Sequence, residues 1–222
     1  MKYSVVKNSN LDEIAFRLDA EFYHPRHLRL ENKLKEIGRI PLERTNADID
    51  CSAFYPSIVE FYNFEKQGIP FLRVKEIDNG LLKITEDTAF LPQKIIDENQ
   101  TTIATCKPYD LIIAKGGNSL AKVALLTSDY EKYSVSRDVI IIRTHDLRYI
   151  NKYYLWMFLN SRIGQQLLKR HASQTGQPHL TLKPIYKLKV PTLSESFQDT
   201  CEWLYRQSQE TERKAKDKLN EA

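Results

Sequence analysis

Five short apolar runs between residues 69 and 144 constrain the fold of this 222-residue chain more than any other feature. They read IPFLRVKEI, GLLKI, DLIIAKGG, KVALLT and SRDVIIIRT, and turn-forming residues separate each run from the next. Short aliphatic and β-branched runs bounded by Gly, Asn, Asp or Pro are typical of buried strands. We therefore predict that the middle of the chain forms a sheet-rich core.

Helical patterns flank this core. In HPRHLRLENKLKEIGRI, Pro25 suits the first turn of a helix and Gly38 ends it. The segment NKYYLWMFLNSRIGQQLLKRH predicts one helix that begins at an Asn151 cap, because its apolar residues recur at helical spacing. The loop QTGQPH follows this helix, and IYKLKVP then predicts a further strand. The fold class is therefore α+β, with helices packed on a sheet-rich domain.

The last 30 residues, 193–222, contain neither Gly nor Pro and are rich in helix formers. Residues spaced alternately by four and three form a seam typical of coiled coils, namely Phe197, Cys201, Leu204, Ser208, Thr211 and Ala215. Packing supplies most of the stability of a helix, so this one should pair with a helix of a partner chain or of a second copy. Folding back onto its own domain is the alternative. We expect a domain over 1–192 and a spacer or dimerisation helix over 193–222.

Charge is distributed unevenly along the chain. The 48 residues between Asp146 and Glu195 contain no Asp or Glu, and they carry eight basic residues. A net charge of +4 overall and +8 in this window leaves −4 for the remainder. Such a run is often only a solvated face. It also suits a surface that contacts phosphate groups.

The sequence lacks the motifs that several classes of protein function require. There is no phosphate-binding glycine loop of either common type, no cluster of His and Cys spaced for zinc, and no acidic nuclease centre. The motif of adenine methyltransferases is also missing. Three scattered cysteines indicate reduced thiols in a cytoplasmic protein, and no apolar run is long enough for a membrane span. We therefore expect a non-catalytic protein without metal or cofactor.

Four segments, in this order, resemble the specificity subunit of type I restriction–modification systems. They are RLDAEFYHP (17–25), GIPFLRVKEIDNGLL (68–82), KPYDLIIAKGGNSLAKVALL (107–126) and YINKYYLWMFLNSRIGQQLLKRHASQTGQPHLTLKPIYKLKVPTL (149–193). The resemblance covers about one target recognition domain and one spacer helix, whereas a full subunit has two of each. The chain departs from the family in having Pro108-Tyr109-Asp110 where Gly-Asp is usual, and PTLSESFQ where the family often has Pro-Pro-x-x-Glu-Gln.

The resemblance implies a DNA-binding function without catalysis. Such a domain reads one half of a bipartite site in double-stranded DNA, and separate methyltransferase and restriction subunits carry out the reactions. The helix acts as a spacer between two half-sites. If two copies of this chain pair as a homodimer through their C-terminal helices, the target should be a split palindrome.

Candidate DNA contacts come from the loops of this pattern. Arg suits guanine, whereas Asn or Gln suits adenine, and Lys or Arg neutralises phosphates. The candidate DNA-contacting residues in the loops are Lys75, Lys115, Asn118, Ser119, Arg137, Gln174, Gln177 and His179. Lys169 and Arg170 are the candidate phosphate contacts.

Two other interpretations remain open from the sequence. The chain could be the recognition part of a fused type II restriction–methylation enzyme, with the same DNA chemistry. It could also be a non-enzymatic scaffold whose basic face binds RNA or an acidic protein.

Overall fold

The structure is a computed structural model that describes residues 5–8, 11–12, 17–173 and 176–220. In this part of the chain the helices are α1 (Pro25–Ile37), α2 (Gln93–Glu98), α3 (Lys152–Asn160), α4 (Arg162–Arg170), α5 (Leu182–Tyr186) and α6 (Glu195–Asn220). The strands are β1 (Arg39–Pro41), β2 (Asp48–Cys51), β3 (Ile69–Leu72), β4 (Ile77–Asp78), β5 (Leu81–Leu82), β6 (Phe90–Leu91), β7 (Thr105–Cys106), β8 (Leu111–Ala114), β9 (Val123–Leu125), β10 (Tyr133–Val135), β11 (Val139–Arg143) and β12 (Lys189–Pro191).

The strands form three sheets. A six-stranded sheet has the order β2-β11-β8-β9-β5-β4, a four-stranded sheet has the order β6-β3-β10-β7, and β1 pairs with β12. The predicted α+β class is confirmed, and all five apolar runs contain strands. The runs belong to two sheets, however, because β3 pairs with β10 and β6 in the four-stranded sheet.

The six-stranded sheet is buried on both faces. Successive residues of β8 alternate between two clusters: Leu111 and Ile113 pack with the helices, whereas Ile112 and Ala114 pack with the four-stranded sheet. Alternation across a strand places neighbours on opposite faces, so burial of both faces requires an unbroken apolar run. The chain therefore forms three layers, with the helices and the four-stranded sheet on either side of the central sheet.

The helix predicted over residues 151–171 is divided in two. Ser161 has extended backbone (φ −65°, ψ 160°), ends α3 and caps α4, because its hydroxyl accepts a hydrogen bond from Gly164 N at 3.1 Å. Gln165 then donates from Nε2 to the carbonyl oxygens of Leu159 (2.9 Å) and Ala121 (2.8 Å), which fixes α4 beside the loop after β8. The prediction of one continuous helix was wrong because a serine cap interrupts it.

The predicted strand IYKLKVP is also corrected. Its first part belongs to α5, which covers Leu182–Tyr186, and only Lys189–Pro191 forms a strand. Pro184 lies in the first turn of this short helix, where its missing N–H costs nothing. The Tyr186 hydroxyl donates to the carbonyl of Ile49 (2.9 Å) and accepts from Ile49 N (3.0 Å), so α5 is fastened to β2.

The C-terminal helix α6 is confirmed, and its first turns pack on the domain. Tyr205 stacks on Tyr153 with 4.8 Å between ring centroids. Buried Gln198 accepts from Asn151 N at 2.5 Å and donates to the carbonyl of Leu193 at 3.0 Å. Of the predicted seam, Cys201 is buried in this contact, whereas Phe197, Leu204, Ser208, Thr211 and Ala215 are exposed. The boundary predicted between residues 192 and 193 stays a prediction.

The segment before α1 is fastened to the end of α4. The Phe22 ring lies between two guanidinium groups, 5.1 Å from that of Arg17 and 4.1 Å from that of Arg170. Arg17 donates to the carbonyl of Ala172 at 2.7 Å, and the ring of His171 meets Phe22 edge-on at 5.7 Å. The motif RLDAEFYHP therefore has an architectural role.

This contact predicts a dependence of stability on pH. Burial, and then the charge of Arg170, lower the pKa of His171 from 6.5 to about 4. Between these values the unfolded chain binds a proton that the folded chain does not, so the stability is present above pH 6.5 and is lost as pH falls towards 4. Because the ring retains some exposure, we expect a loss of about 2 kcal/mol. Urea unfolding at pH 7 and 4.5 measures it, and His171→Gln should reduce the difference; an equal difference in both proteins would contradict the assignment.

Candidate nucleic-acid interface

Several strand ends meet at one edge of the two larger sheets. Strands β3 and β10 run parallel with Val135 opposite Leu72, so the segments that follow both strands lie together. Val139 at the start of β11 lies opposite Ala114 at the end of β8. The loops over 73–76, 115–122 and 136–138 therefore emerge side by side, and with the loop over 176–180 we call them the loop rim.

The fourth loop joins the rim through backbone contacts. Gly116 and His179 form an isolated antiparallel bridge, and Leu180 N donates to the carbonyl of Lys115 at 2.8 Å. A Cβ on Gly116 would lie 3.0 Å from Nδ1 of His179, so glycine allows this close approach. The segment after α4, far away in the sequence, is thereby held beside the loop after β8.

The loop rim brings together seven of the ten predicted DNA contacts. Five of them are exposed, namely Lys75, Asn118, Arg137, Gln177 and His179, and Ser119 is half-buried. The Nζ of Lys75 donates to the carbonyl of Asp87 at 2.9 Å. Gln174 lies outside the described residues. Lys115 is 9% exposed, and its Nζ donates to the carbonyl of Arg137 at 2.5 Å.

The two predicted phosphate contacts on α4 have different surroundings. Lys169 is exposed beside a cavity of about 460 Å³ between α1 and α4, which Arg26 and Arg162 also line. Arg170 is buried: its Nε donates to the carbonyl of Phe22 at 2.8 Å, and its Nη1 lies 3.4 Å from Glu31 Oε2. Since its donors face the interior, the prediction of Arg170 as a phosphate contact is corrected, and packing explains this residue.

The basic residues of the acid-free window do not form one free surface. Lys187 pairs with Glu43 at 2.7 Å, and Lys152 Nζ lies 4.5 Å from the ring centroid of Tyr109. With Arg170 paired to Glu31, these contacts engage three of the eight basic residues within the protein. The argument for phosphate binding therefore depends on where the other five lie, rather than on the charge count. All five are exposed, and two of them, Arg162 and Lys169, lie together on α4.

Several residues at this edge were not predicted from the sequence. Arg73 follows β3, and its guanidinium lies 5.7 Å from the ring centroid of Tyr62 and 3.3 Å from Glu76. The segment over 53–67 next to it has exposed Phe54, Val59, Phe61 and Phe64. Tyr55 in this segment adjoins the backbone of Arg137, and burial raises the pKa of its phenol. The density of aromatic residues in AFYPSIVEFYNF was the available signal.

The described residues contain no group of three or more His, Cys, Asp or Glu side chains that could hold a metal ion. None of the helices in this part of the chain is long and apolar enough to cross a membrane.

Comparison with known proteins gives matches only in structure. No protein-family model and no curated protein matches the sequence. A chain from work on the complex assembly and conformational transition of the type I R-M system has a TM-score of 0.54 at 15% identity, over 87% of this chain and 46% of that chain. The type IIG restriction endonuclease BpuSI has a TM-score of 0.56 at 14% identity, over 80% of this chain and 28% of that chain.

A third structure, the HsdS subunit from Thermoanaerobacter tengcongensis, has a TM-score of 0.49 at 17% identity, over 83% of this chain and 43% of that chain. This chain thus spans less than half the length of each of the three proteins. The likeness concerns the arrangement of helices and strands. The chain therefore shares its fold with a chain of a type I restriction–modification system, the kind of system that the sequence resembles, and with a type IIG restriction endonuclease.

Proposed function

We propose that the chain is the DNA recognition domain of a restriction–modification system, as a specificity subunit or half-subunit of type I. It reads one half of a bipartite site in double-stranded DNA and directs methyltransferase and restriction subunits, and it performs no reaction itself. The observation that supports this most is the meeting of donor and acceptor side chains from four separate segments on the loop rim. Such convergence is more typical of a surface that binds DNA bases than of one that contacts only solvent.

The side chains of the loop rim match the chemistry of base edges. Arg137 offers two parallel donors for guanine, while Asn118 and Gln177 each offer the donor and acceptor that adenine requires. His179 and Ser119 supply single hydrogen bonds, and Gln174 remains a candidate. Lys75 at one side and Lys169 on α4 supply charge for phosphates, which positions the domain without reading sequence.

A selection from a random duplex pool, followed by binding measurements over a range of salt concentrations, tests this function. We expect one enriched motif, bound about a thousandfold more tightly than random duplex near physiological salt. Affinity for random duplex should fall steeply with salt, whereas preference for the motif should persist. Equal binding to all duplexes, or tighter binding to RNA or to an acidic protein, would overturn the proposal in favour of the scaffold interpretation.

The likeness to BpuSI supports a second candidate, the recognition region of a type IIG-like enzyme. The loop rim would act in the same way, but the methyltransferase and nuclease would belong to the same polypeptide. Mixing this chain with separately produced methyltransferase subunits discriminates the two. Methylation of the selected motif upon mixing favours the type I arrangement, and its failure with a chain that binds the motif favours the fused one.

We also propose that α6 pairs with α6 of a second copy. One side of this helix is docked on α3, whereas Phe197 (49% exposed) and Leu204 (48% exposed) lie on a neighbouring side with Ser208, Thr211 and Ala215. Small and apolar residues at seam spacing suit a helix–helix contact. A two-fold pair would present two loop rims to a split palindrome.

Leu204→Glu tests this face. A charge at the centre of the contact should raise the dimer dissociation constant at least about thirtyfold, measured by sedimentation velocity over a concentration series. Trp203→Glu is the matched control, because Trp203 is 58% exposed and lies on another side of α6. A monomeric wild-type chain, or equal effects of the two variants, would contradict the assigned face.

A further inference from the structure

Lys115 is the residue of the loop rim whose surroundings disagree most with a DNA contact. It follows β8 directly, at the start of the loop that carries Asn118 and Ser119, yet it is 9% exposed. A lysine at a loop end normally keeps its ammonium group in water, because burying a charge is costly unless it is hydrogen-bonded. Here the ammonium donates at 2.5 Å to the carbonyl of Arg137.

The backbone of Lys115 makes two further connections. Its N–H donates to the carbonyl of Asp138 at 2.9 Å, and its carbonyl accepts from Leu180 N at 2.8 Å. One residue therefore joins the turn over 136–138 on one side and the loop over 176–180 on the other. Each of these segments carries an exposed candidate for base reading, Arg137 in the first and His179 in the second.

The ammonium contact determines how Arg137 is presented. The Arg137 carbonyl is held towards the protein by Lys115, while the Arg137 side chain is exposed. Without the ammonium, this carbonyl would lose a charge-assisted partner, and the turn would gain other conformations. On the far side, Gly116 and His179 form a β-bridge, so the loop that begins at Lys115 is joined to the loop over 176–180 as well.

We infer that Lys115 is a positioning residue. It acts as a latch, holding the loops over 115–122, 136–138 and 176–180 together as one DNA-binding surface, and it makes no contact with phosphate. This inference rests on the proposed function, because it assigns a role within the same DNA-reading surface. It separates two kinds of lysine at this edge. Lys169 is exposed and free to meet DNA, whereas Lys115 acts through Arg137 and His179.

Salt dependence distinguishes the two roles. Each lysine that neutralises a phosphate contributes about 0.9 to the slope of log affinity against log salt. We expect Lys115→Met to leave this slope unchanged for random duplex. The affinity of the variant for the selected motif, relative to random duplex, should fall at least tenfold. Lys169→Met, the matched control, should lower the slope by about one and weaken binding to all duplexes alike. A slope lowered by Lys115→Met as much as by Lys169→Met would overturn the inference.

Two additional variants keep the test decisive. Lys115→Arg retains a cationic donor and should restore most of the preference for the motif. If Lys115→Met does not fold, as judged by circular dichroism, Lys115→Gln removes the charge while keeping a polar side chain, and the same unchanged slope is required of it. A lowered slope for Lys115→Gln would equally reject the positioning role.

Hydrogen exchange without DNA separates this inference from the proposed function. In Lys115→Met, amides of the turn over 136–138, where the Arg137 carbonyl loses its partner, should exchange at least about tenfold faster. Those of the loop over 176–180, which is bonded to the backbone beside residue 115, should exchange faster by a smaller factor, while those of β8 and β11 keep wild-type rates. Unchanged exchange in both loops would reject the latch even if the chain binds DNA. A chain that binds no duplex specifically would reject the proposed function, while faster exchange would still support the latch.

Discussion

Replacing Asn118, Arg137 and Gln177 together by alanine should remove the preference for the selected motif over random duplex. Each of these side chains is exposed on the loop rim, and each offers paired hydrogen-bonding groups. A good bidentate contact to a base contributes about 1–3 kcal/mol of discrimination, so the triple variant should lose at least about a hundredfold in relative affinity. Competition binding of the labelled motif against random duplex measures this ratio.

The matched control for this variant lies on α4. Replacing Arg162 and Lys169 by alanine removes two exposed charges that line the cavity between α1 and α4. Affinity should fall for motif and random duplex alike, and the preference should stay within about threefold of wild type. If the rim variant instead weakens both duplexes equally, or if it leaves the preference intact, the loop rim does not read bases.

The strands could be predicted from the sequence because the central sheet is buried on both faces. A strand such as β8, with LIIA fully buried, leaves an unbroken apolar run that local residues alone reveal. The division into two sheets could not be predicted in the same way. It depends on pairing between segments far apart in the chain, such as β3 with β10, and their sequences do not encode the partner.

Local periodicity also missed the boundaries of the helical region. The apolar spacing of residues 151–171 continues across Ser161 because α3 and α4 both face the same core. Only the serine cap and the glycine three residues later mark the break, and both residues also occur inside helices. The side of α6 that docks on its own domain was also missed: Tyr205 and Gln198 are buried there, and the predicted seam, whose contact is with a second helix, stays a prediction.

The sequence predicted where the candidate residues lie better than it predicted whether their side chains face solvent. Loops that follow strand ends gave five residues that the fold brings to one edge, and the loop after α4 gave two more. Burial of Lys115 and Arg170 could not be predicted, because their partners are supplied by other segments: the carbonyl of Arg137 for the first, Phe22 and Glu31 for the second. Residue type and position along the chain do not distinguish a buried cation from one that faces solvent.

Gly164→Ala should destabilise the fold strongly, because the added methyl group would meet the backbone of a neighbouring helix. Gly164 lies in the first turn of α4, against the last turn of α3, and a Cβ there would lie 2.1 Å from the carbonyl oxygen of Phe158 and 2.7 Å from Cα of Leu159. Both neighbours are backbone atoms, so no side chain can rotate away. The two helices would have to separate, disturbing the hydrogen bond from Gly164 N to Ser161 Oγ.

We expect the free energy of unfolding to fall by about 3 kcal/mol, at the upper end for overpacking of a core. For a chain of this size the melting temperature should fall by roughly 6–12 °C, measured by calorimetry or circular dichroism. Gly176→Ala is the matched control, since nothing lies within 4 Å of a Cβ at that exposed position, and its melting temperature should stay within about 2 °C of wild type. Similar melting temperatures for both variants would show that α3 and α4 do not pack as closely as described, because only a rigid backbone contact makes one methyl group this costly.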